Sequence, residues 1–280
     1  MDISIIVPFY NGNKYIENII EMVSNNVYRL SPSVKVELLI VNDSPWVEVE
    51  VNVEPKNFEL HVLNYPDNVG IQGARVRGLE NAKGTFILML DQDDIIANDF
   101  LVKTYGLSQE SDVIVADGWR RLPNGDKPIY NSKKKQKKVT SLFHYVYIEN
   151  RILSPGHCLI RKSAIPSEWL EKKLKKNGAD DLVLWILMLC RKSRFSIVTE
   201  KLYNHIDTGE NVSGDDMKMA ESTFEACRVL REIRYVPKWI PFLLKRKTKN
   251  DVYYVFHNRD KYFDYKIVEF LRKCKGGYRC

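Results

Sequence analysis

The stretch Phe86-Ile87-Leu88-Met89-Leu90-Asp91-Gln92-Asp93-Asp94 sets five apolar residues directly before three carboxylates that fall within four positions. So short an apolar run, stopped by polar residues, reads as a buried strand of a parallel sheet ending at the edge where such sheets bind ligands. Carboxylates crowded there repel one another and lose hydration, a cost that a cation or a hydrogen-bonding ligand offsets. A divalent metal meets that need. Read alone, the four residues also fit an acidic turn capping the next helix, where Asp is favoured.

Upstream, Ile3-Ser4-Ile5-Ile6-Val7-Pro8 is a largely β-branched run closed by proline, a first buried strand opening into the loop Phe9-Tyr10-Asn11-Gly12-Asn13. A helical pattern starts at Lys14, with Ile16, Ile19, Ile20 and Val23 on one face. Val36 to Val41 gives a second strand that ends at Asn42-Asp43-Ser44-Pro45, and Leu60 to Leu63 a third. Asn68-Val69-Gly70 leads into a helix over Gln72 to Asn81. This alternation predicts an α/β fold with a doubly wound, mostly parallel sheet, whose ligands bind beyond the carboxyl ends of the strands. Asp43 and Asp91 both belong at that edge.

Beyond Asp94 the pattern predicts a helix over Asp99 to Leu107, a strand over Val113 to Ala116, and an exposed loop from Arg120 to Lys138 that carries a lysine run. Ser154-Pro155-Gly156-His157 reads as a turn feeding a strand. Asn177-Gly178-Ala179-Asp180-Asp181 puts a second acidic pair before the buried helix Leu182 to Cys190, which contains Trp185.

With 280 residues, 44% hydrophobic and 28% charged, the chain has the composition of a soluble globular protein. No run reaches the length needed to span a bilayer and no signal peptide is legible, so a cytoplasmic location is expected. Five scattered cysteines predict neither a disulfide frame nor a zinc site. The net charge of +7 lies wholly in the tail: residues 234–280 hold 13 Lys and Arg against 4 acids, and the remainder 30 against 32. The body is therefore no general binder of nucleic acid, while the tail suits an anionic surface. In it, Trp239, Phe242, Tyr253, Tyr254, Phe256, Tyr262, Phe263, Tyr265 and Phe270 interleave with basic groups, as at a membrane interface on the inner face of the plasma membrane. Packing of these rings on the body or on a second copy in a homo-oligomer is the other reading.

The polar sites suggest a common chemistry. Asp43 is placed to accept a hydrogen bond from a nucleobase or ribose. Asp91-x-Asp93 offers hard oxygen ligands for Mg²⁺ or Mn²⁺, ions that stabilise a diphosphate leaving group. Asp181, with Asp180 or the helix terminus tuning it, is placed to take a proton from an attacking hydroxyl.

Six motifs in order make the chain resemble the inverting glycosyltransferases of family 2, of the bacterial surface-polysaccharide type. They are Ser4 to Asn11, Val41-Asn42-Asp43-Ser44, Asn68-Val69-Gly70 with Ala74-Arg75 and Gly78, Leu90 to Asp94, Gly178 to Trp185, and Tyr203-Asn204-His205. The resemblance implies the GT-A fold: residues 1–115 as its nucleotide-sugar-binding half, 116–233 as its acceptor-binding half, and 234–280 as a helical, basic and aromatic appendage. It implies a nucleotide-sugar donor, UDP-linked in most relatives, held by Pro8, Tyr10, Asn11, Asp43, Asn68, Gly70, Arg75, Asp91 and Gln92. Asp93 would be the principal metal ligand, with His205 as a further contact, and Asp181 the general base. Asp180, which stands where relatives carry Glu, would join His157 and Trp185 at a glycan or lipid-linked glycan acceptor, and Asn211-Val212-Ser213 would belong to a loop closing over the diphosphate. A sugar-1-phosphate nucleotidyltransferase is the rival enzyme, but Pro8-Phe9-Tyr10-Asn11-Gly12 is not the glycine-rich basic phosphate loop such an enzyme needs. A non-catalytic scaffold of the same fold is the rival from another class, and the intact carboxylates speak against it.

Overall fold

The computed structural model describes residues 1–209 and 214–273, so Asn211, Val212 and Ser213 of the expected closing loop, and Cys274 and Cys280, lie outside the described residues. The chain forms two compact units: Met1–Gln136 with Ile152–Ile165 and Ser193–Asp207, and Lys137–Arg151 with Pro166–Lys192 and Thr208–Cys280. The units thus divide elsewhere than at residues 115 and 233, because strands from the second half of the chain complete the first unit's sheet.

In the first unit β1 (Ile3–Phe9), α1 (Asn13–Val27), β2 (Val36–Asn42), β3 (Glu59–Asn64), α2 (Gly70–Asn81) and β4 (Phe86–Met89) follow the alternation expected from sequence. There follow β5 (Ile95–Ile96), α3 (Phe100–Tyr105), β6 (Val113–Arg121), β7 (Lys127–Pro128), α4 (Lys133–Gln136), β8 (Cys158–Arg161) and β9 (Phe195–Ile206). The sheet order is β3-β2-β1-β4-β8-β6-β9-β5, with β7 beside β6. β1 pairs in parallel with β2 on one edge and β4 on the other, and β2 with β3. β8 runs antiparallel between β4 and β6, whereas β6 and β9 are parallel. Hydrophobic patterning carries no strand direction, so the reversal at β8 was not legible in the sequence.

Apolar residues of β1, β2 and β4 form the core with Ile16, Ile19, Ile20 and Val23 of α1, the face that the helical spacing predicts. On the other side α2 approaches the sheet closely. A Cβ on Gly78 would lie 2.3 Å from Ile6 Cγ2 and 3.1 Å from Val41 Cγ2, so only glycine fits. The lysine run is more ordered than an exposed loop. Its Gln136 is buried and donates to Val115 O (3.1 Å) and Val198 O (2.8 Å), which pins α4 to the sheet.

The second unit is helical: α5 (Ser167–Glu171), α6 (Asp180–Cys190), α7 (Asp216–Glu232), α8 (Trp239–His257) and α9 (Phe263–Lys273). α6 is buried from Asp180 to Met188, which explains its nearly unbroken apolar sequence. Ser222 of α7 accepts from Ala179 N (3.0 Å) and donates to Lys176 O (2.8 Å), tying the start of α6 to α7. Arg246 of α8 pairs with Asp264 of α9 at 2.8 Å. Among the described residues no helix is long and apolar enough to cross a membrane.

Gly78→Val tests the approach of α2 to the sheet. Overpacking there should cost about 3 kcal/mol, well above the ~0.5 kcal/mol that leaving glycine gains in helix propensity. Urea unfolding should show a lower midpoint at unchanged slope; an unmoved midpoint would mean that Ile6 yields.

Candidate active site

The strand order reverses at β1, whose neighbours β2 and β4 lie on opposite sides, and ligands of such sheets bind beyond the carboxyl ends at this switch point. The loops leaving β1, β2 and β4 therefore define the candidate site in the first unit. Gln92 joins two of them: its Oε1 accepts from Tyr10 N (3.0 Å) and its Nε2 donates to Tyr10 O (3.1 Å). Gln92 thus positions the β1 loop. A Cβ on Gly12 would fall 2.2 Å from Gln92 Oε1, so any larger residue there would displace the Gln92 side chain.

Asn11, at φ 48°, donates its N–H to Ser44 Oγ (2.9 Å) and accepts from Trp46 Nε1 at Oδ1 (3.0 Å). Tyr10 and Trp46 meet edge to face with centroids 6.0 Å apart and are 53% and 62% exposed, an aromatic corner open to solvent. Trp46 escaped the sequence reading, since a tryptophan in a loop carries no periodic signal. Pro8 is the half-exposed residue of a strand otherwise buried. Asp43 is buried; its Oδ1 accepts from Val69 N (2.7 Å), and Asn68 Nδ2 donates to Asp43 O (2.6 Å). Burial raises the pKa of Asp43 against the lowering effect of the Val69 and Gly70 N–H groups. Gly70 takes φ 74°, a left-handed turn open to glycine, where the chain enters α2.

The three clustered carboxylates hold different positions. Asp91 is bound on both oxygens, by buried Arg75 Nη2 (2.5 Å) and by Ser154 Oγ (3.0 Å). Asp94 is buried: Tyr203 OH donates to its Oδ2, while His205 Nδ1 (3.1 Å) and Ile206 N (3.1 Å) bond its Oδ1. Burial raises its pKa against those bonds. Asp93 between them is half-buried, and its pKa is pushed up to about 6 by desolvation and by the neighbouring charges of Asp94 and Asp91. Burial disfavours a charged His205, but the bond and charge of Asp94 outweigh it and hold the imidazole above its ordinary value. With Nδ1 given to Asp94, Nε2 is the nitrogen left for a ligand.

Asp93 and His205 offer a carboxylate oxygen and an imidazole nitrogen, donor types that a divalent cation takes, and the partly desolvated negative charge at Asp93 is the kind a cation relieves. A separate set of metal-type donors, Glu37, Glu59 and His61, comes within 4.8 Å at the amino ends of β2 and β3, away from the Asp91–Asp94 edge.

In the second unit Asp181 occupies the first turn of α6. Its Oδ2 accepts from Asn150 Nδ2 (3.0 Å) and its Oδ1 from Leu182 N (2.7 Å). It lines a cavity of about 270 Å³ together with Asn150, Asp216, Lys247 and Tyr254. The expected acceptor contacts at Trp185 and His157 need correction. Both side chains are fully buried and present no surface to a ligand. His157 instead donates from Nδ1 to Ala116 O (2.9 Å), accepts from Leu153 N at Nε2 (3.1 Å) and stacks on Tyr203; burial lowers its pKa to about 4 and keeps it neutral. Asp180, 3% exposed, offers almost no surface either, and its backbone carbonyl takes the Trp169 indole N–H at 2.8 Å.

The model of the family named Glycosyl transferase family 2 matches residues 4–168, more than half the chain. The chain belongs to that family. It is 33% identical over 119 residues to an uncharacterized glycosyltransferase of Haemophilus influenzae, a match covering 41% of this chain and 46% of the relative. An uncharacterized glycosyltransferase of Rickettsia prowazekii matches over 286 residues at 25% identity, covering 99% of this chain and 81% of its own. Several other curated relatives are longer, and the match spans less than half of their length. Residues 1–349 of S. aureus TarS in complex with UDP-GlcNAc superpose with a TM-score of 0.60 at 17% identity, covering 91% of this chain and 73% of that one. A mannosyltransferase of Pyrobaculum calidifontis in complex with GDP-Man and Mn²⁺ gives 0.56 at 15% identity over 88% and 68%. At such identities the likeness is one of fold, and that fold is GT-A.

The different positions of Asp93 and Asp94 have a measurable consequence. Asp94→Ala leaves buried Tyr203 and half-buried His205 without their partner and should cost about 3–5 kcal/mol, seen as a lower melting temperature. Asp93→Asn removes a repelled charge and should leave stability at pH 7 unchanged or slightly higher. Equal losses in the two variants would refute the distinction.

Proposed function

We propose that the chain is an inverting glycosyltransferase that moves a sugar from a nucleoside-diphosphate sugar, foremost a UDP-sugar, to a hydroxyl of a glycan or lipid-linked glycan. The observation that carries this reading is the half-buried carboxylate of Asp93, pushed up to about 6, at the switch point of a GT-A sheet. The UDP-GlcNAc complex of TarS and the GDP-Man complex of the mannosyltransferase support the choice of substrate class. The basic, aromatic C-terminal segment serves to dock the chain on an anionic membrane surface.

In this reading Tyr10 and Trp46 offer ring surface to the nucleobase, and Asp43 an acceptor to base or ribose. Gln92 and Arg75 act one step back: Gln92 holds the Tyr10 backbone, and Arg75 fixes the carboxylate of Asp91. Asp93 and the Nε2 of His205 would hold Mg²⁺ or Mn²⁺, which when bound supplies positive charge to a diphosphate leaving group. Asp181 takes the proton of the acceptor hydroxyl as that oxygen attacks the anomeric carbon, and a single displacement inverts the configuration. The Asn150 and Leu182 N–H donors orient the Asp181 carboxylate.

Transfer is tested with a panel of nucleotide sugars and separation of products. Asp181→Asn should reduce turnover about 10²–10⁴-fold while donor affinity stays within about twofold. Turnover near wild type in that variant would overturn the base assignment. Metal binding should follow the titration of Asp93. Protons compete for its carboxylate below pH 6, so Mn²⁺ affinity by calorimetry should fall about tenfold from pH 7.5 to pH 5. The sign for folding is opposite: a carboxylate whose pKa is raised in the folded state stabilises the metal-free fold at low pH, and that contribution is lost as pH rises through about 6. Affinity independent of pH would exclude Asp93 as the ligand.

A further inference from the structure

The second unit carries a groove of about 490 Å³ lined by Arg228 and Arg231 of α7 and Lys245 and Lys249 of α8. Residues three or four apart share a helix face, so each helix presents a pair of like charges to the groove. Among the described residues, none of the four has a hydrogen bond or an ion pair. The groove's one acid, Glu221, is taken by Lys176 at 2.8 Å. Between the helices lies the buried Cys227 thiol, pushed up to about 11 by burial although the charges of Lys245 and Arg231 act to lower it. Four unpaired cations around one opening are a standing repulsion that an anionic ligand would relieve.

The same helix α8 indicates which anion. Phe242, 62% exposed, stands three residues before Lys245 and seven before Lys249, on their face of the helix. Trp239, 43% exposed, lies three residues further back. A soluble phosphate polymer would use the cations but gain nothing from rings held in water. A bilayer surface uses both, since aromatic rings settle at the level of the headgroups and cations meet their phosphates.

We propose that this groove is a headgroup site for anionic phospholipid, with phosphate held between the Arg228–Arg231 and Lys245–Lys249 pairs and Trp239 and Phe242 entering the acyl boundary. It gives a specific place to the membrane docking proposed above and rests on that part of the reading alone. Its test reads binding, so sugar transfer can fail while this site stands, and the reverse.

Sedimentation of the full chain with vesicles of phosphatidylcholine containing about one-third phosphatidylglycerol measures the partition coefficient. Each cation at such a surface contributes about fivefold, so Lys245→Gln/Lys249→Gln should bind about 25-fold more weakly. Lys133→Gln/Lys134→Gln removes the same charge from the first unit and should stay within about twofold of wild type. Phe242→Ser should weaken binding without any change in charge. All these positions are exposed, and thermal melts verify that the variants fold. Equal weakening in the two lysine pairs would reduce the effect to net charge and overturn the site, as would wild-type protein that fails to sediment with the vesicles. Inorganic polyphosphate that binds in a Lys245- and Lys249-dependent way, with no vesicle binding, would also overturn it and identify a soluble polyanion as the ligand.

Discussion

The candidate donor site depends on the hydrogen bonding of β1 on both edges. With β2 on one side and β4 on the other, both parallel to it, three carboxyl ends emerge at one edge of the sheet. Tyr10, Asp43 and the Asp91–Asp94 run follow those ends directly. The position of each polar group is therefore set by strand register, which the buried apolar residues of β1 and β4 hold in place: a slip of one residue would turn every side chain to the other face. The paired bonds between Gln92 and the Tyr10 backbone extend this control by one residue into the loops.

At that edge, one acidic cluster serves several physical roles. Asp91 neutralises buried Arg75, and Asp94 orders the Tyr203–His205 part of β9 from within. Their commitment leaves Asp93 desolvated and next to like charge. The raised pKa of Asp93 thus reflects the charges beside it as well as its own burial. Asp181 in the second unit follows a similar pattern: α6 is buried along its apolar length, and Asn150 and Leu182 N hold the carboxylate at its first turn.

Most of the first unit was legible in the sequence because its elements announce themselves by period. The face of α1 at Ile16, Ile19, Ile20 and Val23, the buried runs of β1, β2 and β4, and the acids at the strand ends all follow from spacing and polarity. What was not legible depends on contacts distant in sequence. The antiparallel sense of β8, the anchoring of α4 through Gln136, the aromatic corner of Tyr10 with Trp46, and the withdrawal of His157 into the core leave no periodic trace. A histidine near a turn looks alike in sequence whether it faces solvent or the interior.

The sequence by itself determined the fold class, the family and the edge of the sheet to which the acids belong, because hydrophobic period and the order of motifs are local properties of the chain. Only the tertiary structure decided which of the three clustered carboxylates are engaged by side chains from elsewhere in the chain, because that depends on Arg75, Ser154, Tyr203 and His205, brought to Asp91 and Asp94 by the fold. It likewise decided that four basic residues of α7 and α8 line one groove, since charges from separate helices meet only after those helices pack.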